Sequence, residues 1–307
     1  MNGLKNQLKK IKFLRNIYHN LKKIYMILVC KVSPKLASQI IYNRTHDKKL
    51  NLNEPILFNE KLMYLKLKNI DNNLIIKCTD KYLVREYIKE KGYSSILNDL
   101  IGVYDSFDEI NWEELPNKFA LKCNHGCGYN IICTDKEKLD KNIVRKKINK
   151  WMNKKYGYET AEPHYTRIKP KIICEKFIDM GNDKLPTDYK IYCFNGEAKI
   201  ILVMNDRGNN IKKEFYDKDW KLMHLRKDEK HPKVLSEKPK NLKLMLKCAE
   251  DLSKPFEFVR VDFYNVNNNI IFGELTFTPA GCNADYTVEA DMQLGKMLKL
   301  QNNKEEI

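Results

Sequence analysis

Apolar residues recur along the chain with two different periods. Between residues 4 and 28 they fall at Leu4, Leu8, Ile11, Leu14, Tyr18, Leu21, Tyr25 and Leu28. Spacings of three and four predict an amphipathic helix with lysines on its other face. Two further helices are predicted, over Phe58 to Lys68 (FNEKLMYLKLK) and over Asp80 to Lys91 (DKYLVREYIKEK), the latter stopped by Gly92. Residues 106 to 116 read as a linker ending at Pro116. Beyond it the period shortens to that of strands: KFALKC, NIIC, KIICEKF, YKIYCF and AKIILVM. Helical stretches from Lys138 to Lys155 and from Pro239 to Leu252 interrupt them. Short turns such as Asn195-Gly196 favour antiparallel pairing, so the pattern predicts an α+β protein.

The last strand signal, FVRVDFYNVNNNIIFGELTFTPAG over residues 258–281, reads as a hairpin around an Asn-rich turn. With the turn centred on Asn268, Asp262 and Glu274 fall opposite each other. Arg260 and Thr276 share their face, because side chains alternate along a strand. Facing acids repel, and the apolar neighbours Val261, Phe263, Phe272 and Phe277 predict that both faces are at least half buried. Buried carboxylates need a cation, hydrogen bonds or a proton. Two cations qualify. Magnesium takes few hard oxygen ligands from protein and keeps room for water and phosphate, and Thr276 adds an oxygen. Alternatively, Arg260 neutralises the pair itself, or contacts a transferring phosphoryl group.

Two other stretches are candidates for chemistry. KCNHGCGYN, residues 122–130, places Lys122 before a turn with Gly126 and Gly128, a flap able to cover phosphates. IICEKFI, residues 172–178, is either an edge strand with Glu175 and Lys176 in solvent or a hinge whose backbone meets an adenine edge.

Charge changes the picture little. The net charge is +16, but residues 1–46 hold ten basic residues and no acid, so the rest carries only about +6. Just 8 of the 56 basic residues are Arg, which points to compositional drift and not to a phosphate-tracking face; no nucleic-acid partner is expected. The basic N-terminal helix either packs on the body with solvated lysines or lies on anionic lipid through residues 1–30. Nine cysteines, mostly in apolar runs such as Cys30, Cys133, Cys174 and Cys193, predict reduced thiols in a cytoplasmic protein. CNHGC lacks a second paired cluster for zinc. The apolar run Ile24–Cys30 has seven residues, too few to span a bilayer.

The order of these stretches adds a resemblance. Lys81, the lysine–glycine loop from Lys122, the EKFI hinge at Glu175, Asp188 with Lys190, then RVDF and GELT together resemble the ATP-grasp superfamily. FNEKL, DKYLVREY, LPNKFALKCNHGCG, DYKIYCFNG and RVDFY…FGELTFTPAG resemble its TupA-like family, associated with teichuronopeptide and capsular or surface polysaccharide biosynthesis. The likeness runs from about Phe58 to Gly295.

The resemblance implies an ATP-grasp fold in which nucleotide binds between two α+β subdomains with mainly antiparallel sheets. Residues 1–46 would form the basic arm, 47–110 an N-terminal helical region, 111–178 the lid and 179–307 the metal-binding subdomain. Lys81 and Lys122 would contact ATP phosphates under the flap of Gly126 and Gly128. Glu175 and the backbone of Lys176, Phe177 and Ile178 would hold adenine, Asp188 the ribose, and Lys190 would lie near the nucleotide. Asp262, Glu274 and Thr276 would bind Mg2+. Arg260 and Lys122 would serve catalysis, Arg260 on the transferring phosphoryl group or the tetrahedral intermediate that follows. Thr276 stands where the superfamily usually has Asn, and the glycine-rich turn is thinned to Thr278-Pro279-Ala280-Gly281-Cys282, so acceptor contacts do not carry over. Cys127 in the flap is unexpected.

The activity implied is ligation of a carboxylate to an amine or hydroxyl through an acyl phosphate, peripheral to the inner membrane face. A kinase acting on a sugar or polyol hydroxyl and a non-enzymatic binder of anionic polymer are the alternatives.

Overall fold

The structure is a computed structural model that describes residues 2–46, 48–180, 185–205, 211–227 and 234–301. It opens with helices α1 (Asn2–Val32), α2 (Pro34–His46), α3 (Phe58–Lys68), α4 (Asn73–Thr79) and α5 (Val84–Glu90). Next come strands β1 (Leu100–Tyr104), β2 (Phe119–Cys123) and β3 (Asn130–Cys133), helices α6 (Lys141–Met152) and α7 (Tyr156–Glu159), and β4 (Ile172–Lys176). The chain continues with β5 (Asp188–Phe194), β6 (Glu197–Asn205), β7 (Lys212–Asp217) and β8 (Leu222–Met223). Helix α8 (Leu242–Ser253), the hairpin β9 (Phe258–Val266) and β10 (Asn269–Thr276), and α9 (Val288–Met297) complete it.

Every strand pair is antiparallel. The smaller sheet has the order β1-β4-β2-β3, the larger β10-β9-β5-β6-β7-β8. Helix α6 covers the smaller sheet by turning Val144 and Ile148 inward, and the Asp140 carboxylate caps it by accepting from the amides of Asn142 and Ile143.

The larger sheet is packed on both faces. On one, Met245, Ala249 and Leu252 of α8 meet Ile191, Val259, Val261 and Phe263. On the other, Phe194, Tyr192 and Phe258 pack under Phe58 and Leu62 of α3 and Leu294 of α9. That cover stops part-way along the strands. The same alternation then places Lys190, Asp188, Arg260 and Asp262 on the uncovered remainder, and this positions the site.

Several sequence expectations change in detail. Residues 106–116 are no free linker: Phe107, Ile110 and Leu115 are buried in the core of the smaller sheet, where apolar side chains find cover from water. Residues 80–83 form a turn before α5, held because Asp80 Oδ1 accepts from the amides of Tyr82 and Leu83. The segment 47–110 contributes β1 as well as helices, pairing with β4. All nine cysteines are free and only Cys127 is exposed. Helix α1 forms over the predicted span, although the side chains of Leu4, Leu8 and Ile11 lie outside the described residues.

Candidate active site

The hairpin does set Asp262 opposite Glu274, but by a different route. Asn267 and Asn268 form a two-residue turn, both at positive φ (52° and 63°), the backbone that Asn tolerates best after Gly. From that turn an unbroken ladder would pair Asp262 with Gly273 and send the Glu274 side chain to the opposite face. A bulge between Phe272 and Glu274 adds one residue and restores the pairing. Glycine eases the close approach there: a Cβ on Gly273 would sit 3.0 Å from the Asp262 carbonyl oxygen and make it give by a few tenths of an ångström.

Arg260 occupies the space between the facing acids. Its Nε and Nη2 donate to Asp262 Oδ1 and Oδ2 at 2.7 Å each, and Nη2 also reaches Thr276 Oγ1 at 3.0 Å and Glu274 Oε1 at 3.4 Å. Lys190, one strand over on β5, donates to Asp262 and lies 2.7 Å from Asp188. Arg260 is therefore the protein's own cation between the carboxylates.

Its effects on the two acids differ. Burial pushes the Asp262 carboxyl up against the pull of Arg260 and Lys190. At Glu274 burial also raises the pKa, but Lys81, Lys190 and Arg260 together outweigh it and hold the carboxyl at about 2. Burial alone would lower the Lys190 pKa; Asp262 and Asp188 raise it instead and keep the ammonium charged.

A second cluster lies on the smaller sheet. Lys122 of β2 and Glu175 of β4 are diagonal neighbours across the strand pair, and their side chains meet at 2.5 Å. Arg85 of α5 holds the other Glu175 oxygen at 3.2 Å and donates to the Asn98 carbonyl. Burial would strip Lys122 of its proton more easily, yet Glu175 outweighs this and raises the pKa. The flap after Lys122 is anchored by buried Asn124, which donates to Asp80 and the Lys169 carbonyl and accepts from the Lys171 amide. Gly128 turns the flap at φ +73°, where a Cβ would be strained. Lys81 joins the two regions: Nζ donates to the Gly126 carbonyl at 2.7 Å and lies 3.8 Å from Glu274 Oε2.

A cavity of about 250 Å3 opens beside the second cluster, lined by Ala120, Lys122, Ile132, Lys176, Phe177, Ile178 and Tyr264 among others. Flat apolar walls with a strand-end backbone at the edge suit a planar heterocycle. Lys176 itself is committed, its amide donating to the Asp99 carbonyl and its carbonyl accepting from Asn98. Any edge-on contact from the hinge falls to Phe177 and Ile178.

The sequence-predicted residues thus divide into three places. Lys190, Asp188, Arg260, Asp262, Glu274 and Thr276 come together on the larger sheet. Lys122 joins Lys176, Phe177 and Ile178 at the cavity. Lys81, Gly126 and Gly128 lie in or beside the flap. Neither Glu175, spent on Lys122 and Arg85, nor Asp188, buried beside Lys190, lines the cavity. Arg85, Asn124 and Tyr264 were missed. Tyr264 was within reach, two residues beyond Asp262 on the same strand face; Arg85 meets a partner ninety residues away that no local pattern marks.

The donors present fit magnesium by their chemistry. Among the described residues Glu274 Oε2 takes no hydrogen bond and has only Lys81 Nζ at 3.8 Å, with 32% of the side chain open; Thr276 supplies a hydroxyl, and Asp262 would share oxygens now held by Arg260 and Lys190. No group of three or more His, Cys, Asp or Glu forms a closed cage among the described residues. Magnesium bound beside phosphate needs none.

Comparison with known proteins gives one clear result. The family described as TupA-like ATPgrasp matches residues 60–299. No curated protein matches. Among solved structures, D-alanine–D-alanine ligase from Bacillus anthracis complexed with ATP is 14% identical at a TM-score of 0.42, covering 72% of this chain and 63% of its own. L-amino acid ligase from Bacillus licheniformis is 13% identical at 0.43, covering 81% and 57%. The chain thus spans less than two thirds of the length of either ligase.

Proposed function

We propose that this chain, which belongs to the TupA-like ATPgrasp family, is a magnesium-dependent ligase that uses ATP to join a carboxylate to an amine or hydroxyl. The observation that carries the reading is the pair of charged clusters linked by Lys81. Around Glu175 two cations meet one acid. On the larger sheet Arg260, Lys190 and Lys81 meet three acids, Asp188, Asp262 and Glu274. The first region has spare positive charge for phosphate oxygens; the second is balanced, and once Lys81 turns to phosphate its acids are left with charge for a divalent cation.

In this reading adenine enters the cavity against Phe177, Ile178 and Tyr264. Lys122 and Lys81 hold the phosphates, and the flap from Asn124 to Gly128 shields them from water. Asp262, Glu274 and Thr276 would hold magnesium, which would neutralise charge on the phosphoryl oxygens. A substrate carboxylate oxygen bonds to the γ-phosphorus as the bond to the bridging oxygen breaks and ADP leaves. The acceptor nitrogen or oxygen then bonds to the acyl carbon. Phosphate departs with the C–O electron pair, and the acceptor's proton passes to solvent. Arg260, held in place by Asp262, steadies the charge that moves.

Hydroxylamine tests the reaction class. Release of ADP with an acyl hydroxamate from a panel of sugar acids and amino acids is the expected result. A stable phosphorylated sugar or polyol without hydroxamate would make the protein a kinase.

We also infer a cytoplasmic protein working on a surface-polysaccharide precursor, with α1 resting on anionic lipid. The family resemblance supports the first. For the second, Met26 and Cys30 dock α1 on the body, while Leu14, Tyr18, Leu21, Tyr25, Leu28 and Val32 form an exposed apolar stripe. Leu28 lies two residues from both docking side chains, about 200° round the helix. Lys22 and Lys31 flank the stripe, the pattern of a helix lying in a membrane interface. No helix among the described residues is long and apolar enough to cross a membrane. Vesicles containing phosphatidylserine should bind the full chain and not one lacking residues 1–30; equal binding would contradict this.

A further inference from the structure

A second cavity, of about 230 Å3, lies outside both charged clusters. It sits between the C-terminal end of α3, the segment around His164 and the ends of β9 and β10. It shares no lining residue with the cavity beside Lys122. Its most buried polar residues are Lys66 (4% exposed), His164 (3%) and Thr278 (4%), while Asn72 and Gln301 stand at the exposed rim. Phe256, Phe258 and Phe277 make its apolar wall.

The polar residues there are unusual in what they lack. Lys66 Nζ and His164 Nε2 are buried without a hydrogen-bond partner among the described residues. A buried ammonium that is left alone costs several kcal/mol. The groups near it do little to help. Burial pushes the Cys282 thiol up to about 12 and raises the Cys30 thiol, so both are neutral. Glu162 is the nearest acid; its Oε1 accepts from Thr278 Oγ1, it lies outside salt-bridge distance of Lys66, and burial raises its pKa. Burial, with Lys66 adding to it, takes His164 down to about 3, so its imidazole is neutral and brings no second charge. Burial lowers the Lys66 pKa too, so an amine and a neutral imidazole line one cavity without partners, and an arriving anion would favour the ammonium form and satisfy both.

We propose that this cavity is a second binding site, for a small anion: the carboxylate or phosphate end of a molecule whose apolar flank rests on Phe256 and Phe277. Lys66 supplies the charge and His164 a hydrogen bond. The volume falls below the roughly 300 Å3 at which drug-sized pockets begin, so the ligand is small or only its end group enters. Thr278 lines the cavity two residues beyond Thr276 on the same chain segment, so the anion lies close to the catalytic face while remaining apart from the nucleotide.

Calorimetric titration of the full chain with inorganic phosphate and, separately, with acetate tests this at constant ionic strength in chloride. At least one of the two should bind saturably, one per chain, and raise the thermal midpoint; which one binds says whether the site prefers phosphate or carboxylate. Lys66→Met should weaken that binding tenfold or more and leave Mg·ATP binding unchanged. Because it removes an unpartnered buried amine, the variant should melt no lower than wild type in chloride alone. Lys122→Met separates the two sites: it should keep the anion. Saturable binding lost in Lys122→Met and retained in Lys66→Met would put the anion in the nucleotide cleft and overturn the proposal. So would no saturation by either anion, or a Lys66→Met variant that melts well below wild type, which would make Lys66 a structural partner of Glu162.

Discussion

The two sheets carry ion clusters built from similar residue types with different balances. On the smaller sheet Glu175 is gripped by Lys122 and Arg85 and leaves positive charge over. On the larger, Arg260, Lys190 and Lys81 match Asp188, Asp262 and Glu274 three to three. Buried ions of one sign are costly unless matched, so the surplus on the smaller sheet marks where an anion such as phosphate belongs. In the proposed reading Lys81 turns to that phosphate and a divalent cation takes its place beside Glu274. Either cluster alone reads as a structural ion network; together, facing along Lys81, they read as a site for a metal–nucleotide complex.

The largest effect should come from the larger sheet. Asp262→Asn leaves Arg260 and Lys190 buried with one acceptor weakened, and should cost about 3–5 kcal/mol in urea unfolding. On the smaller sheet Lys122→Met should cost less stability, because Arg85 still holds Glu175. It should instead weaken ATP binding by about 1.5–3 kcal/mol, the worth of a hydrogen bond to a charged group, read by calorimetry. If both variants lost stability equally and bound ATP equally, the contrast between the clusters would be gone.

Glu274 sharpens the comparison through pH. Its carboxyl sits at about 2 in the fold against an ordinary 4.5. A depressed folded-state pKa contributes stability that is present above pH 4.5 and is lost as the pH falls from 4.5 towards 2. Unfolding measured over that window should fall more steeply for wild type than for Glu274→Gln, with matching slopes counting against the field assigned to Lys81, Lys190 and Arg260. The smallest effect concerns the bulge. Gly273→Ala should cost about 1 kcal/mol, a typical single-residue penalty, and also reduce magnesium-dependent binding, since the new Cβ crowds the Asp262 carbonyl and disturbs the register that turns Glu274 towards the metal.

Much of the larger sheet's cluster was legible because strand alternation is a local rule: Arg260, Asp262, Glu274 and Thr276 were placed on one face from spacing alone. Even so, the facing acids were reached from a turn centred on Asn268, whereas the chain turns at Asn267-Asn268 and corrects itself at Gly273. A bulge is invisible until both strands are paired. The smaller sheet was harder to read. Glu175 was read as facing solvent on an edge strand or as holding adenine, whereas β4 is an inner strand and Glu175 is buried; its partner Arg85 comes from a helix packed in the larger sheet's core, and such long-range meetings leave no periodic trace. Residues 106–116 misled for the opposite reason: polar punctuation hid Phe107, Ile110 and Leu115, which the sheet needs as cover.

The most direct measurement is calorimetric titration of ATP with and without magnesium, on wild type and on the double variant Asp262→Asn, Glu274→Gln. Magnesium-strengthened binding in wild type, lost in the double variant while weak metal-free binding at the Lys122 side survives, is the predicted result. Equal ATP binding by both proteins in the presence of magnesium would show that the acids on the larger sheet hold no metal and serve Arg260 alone.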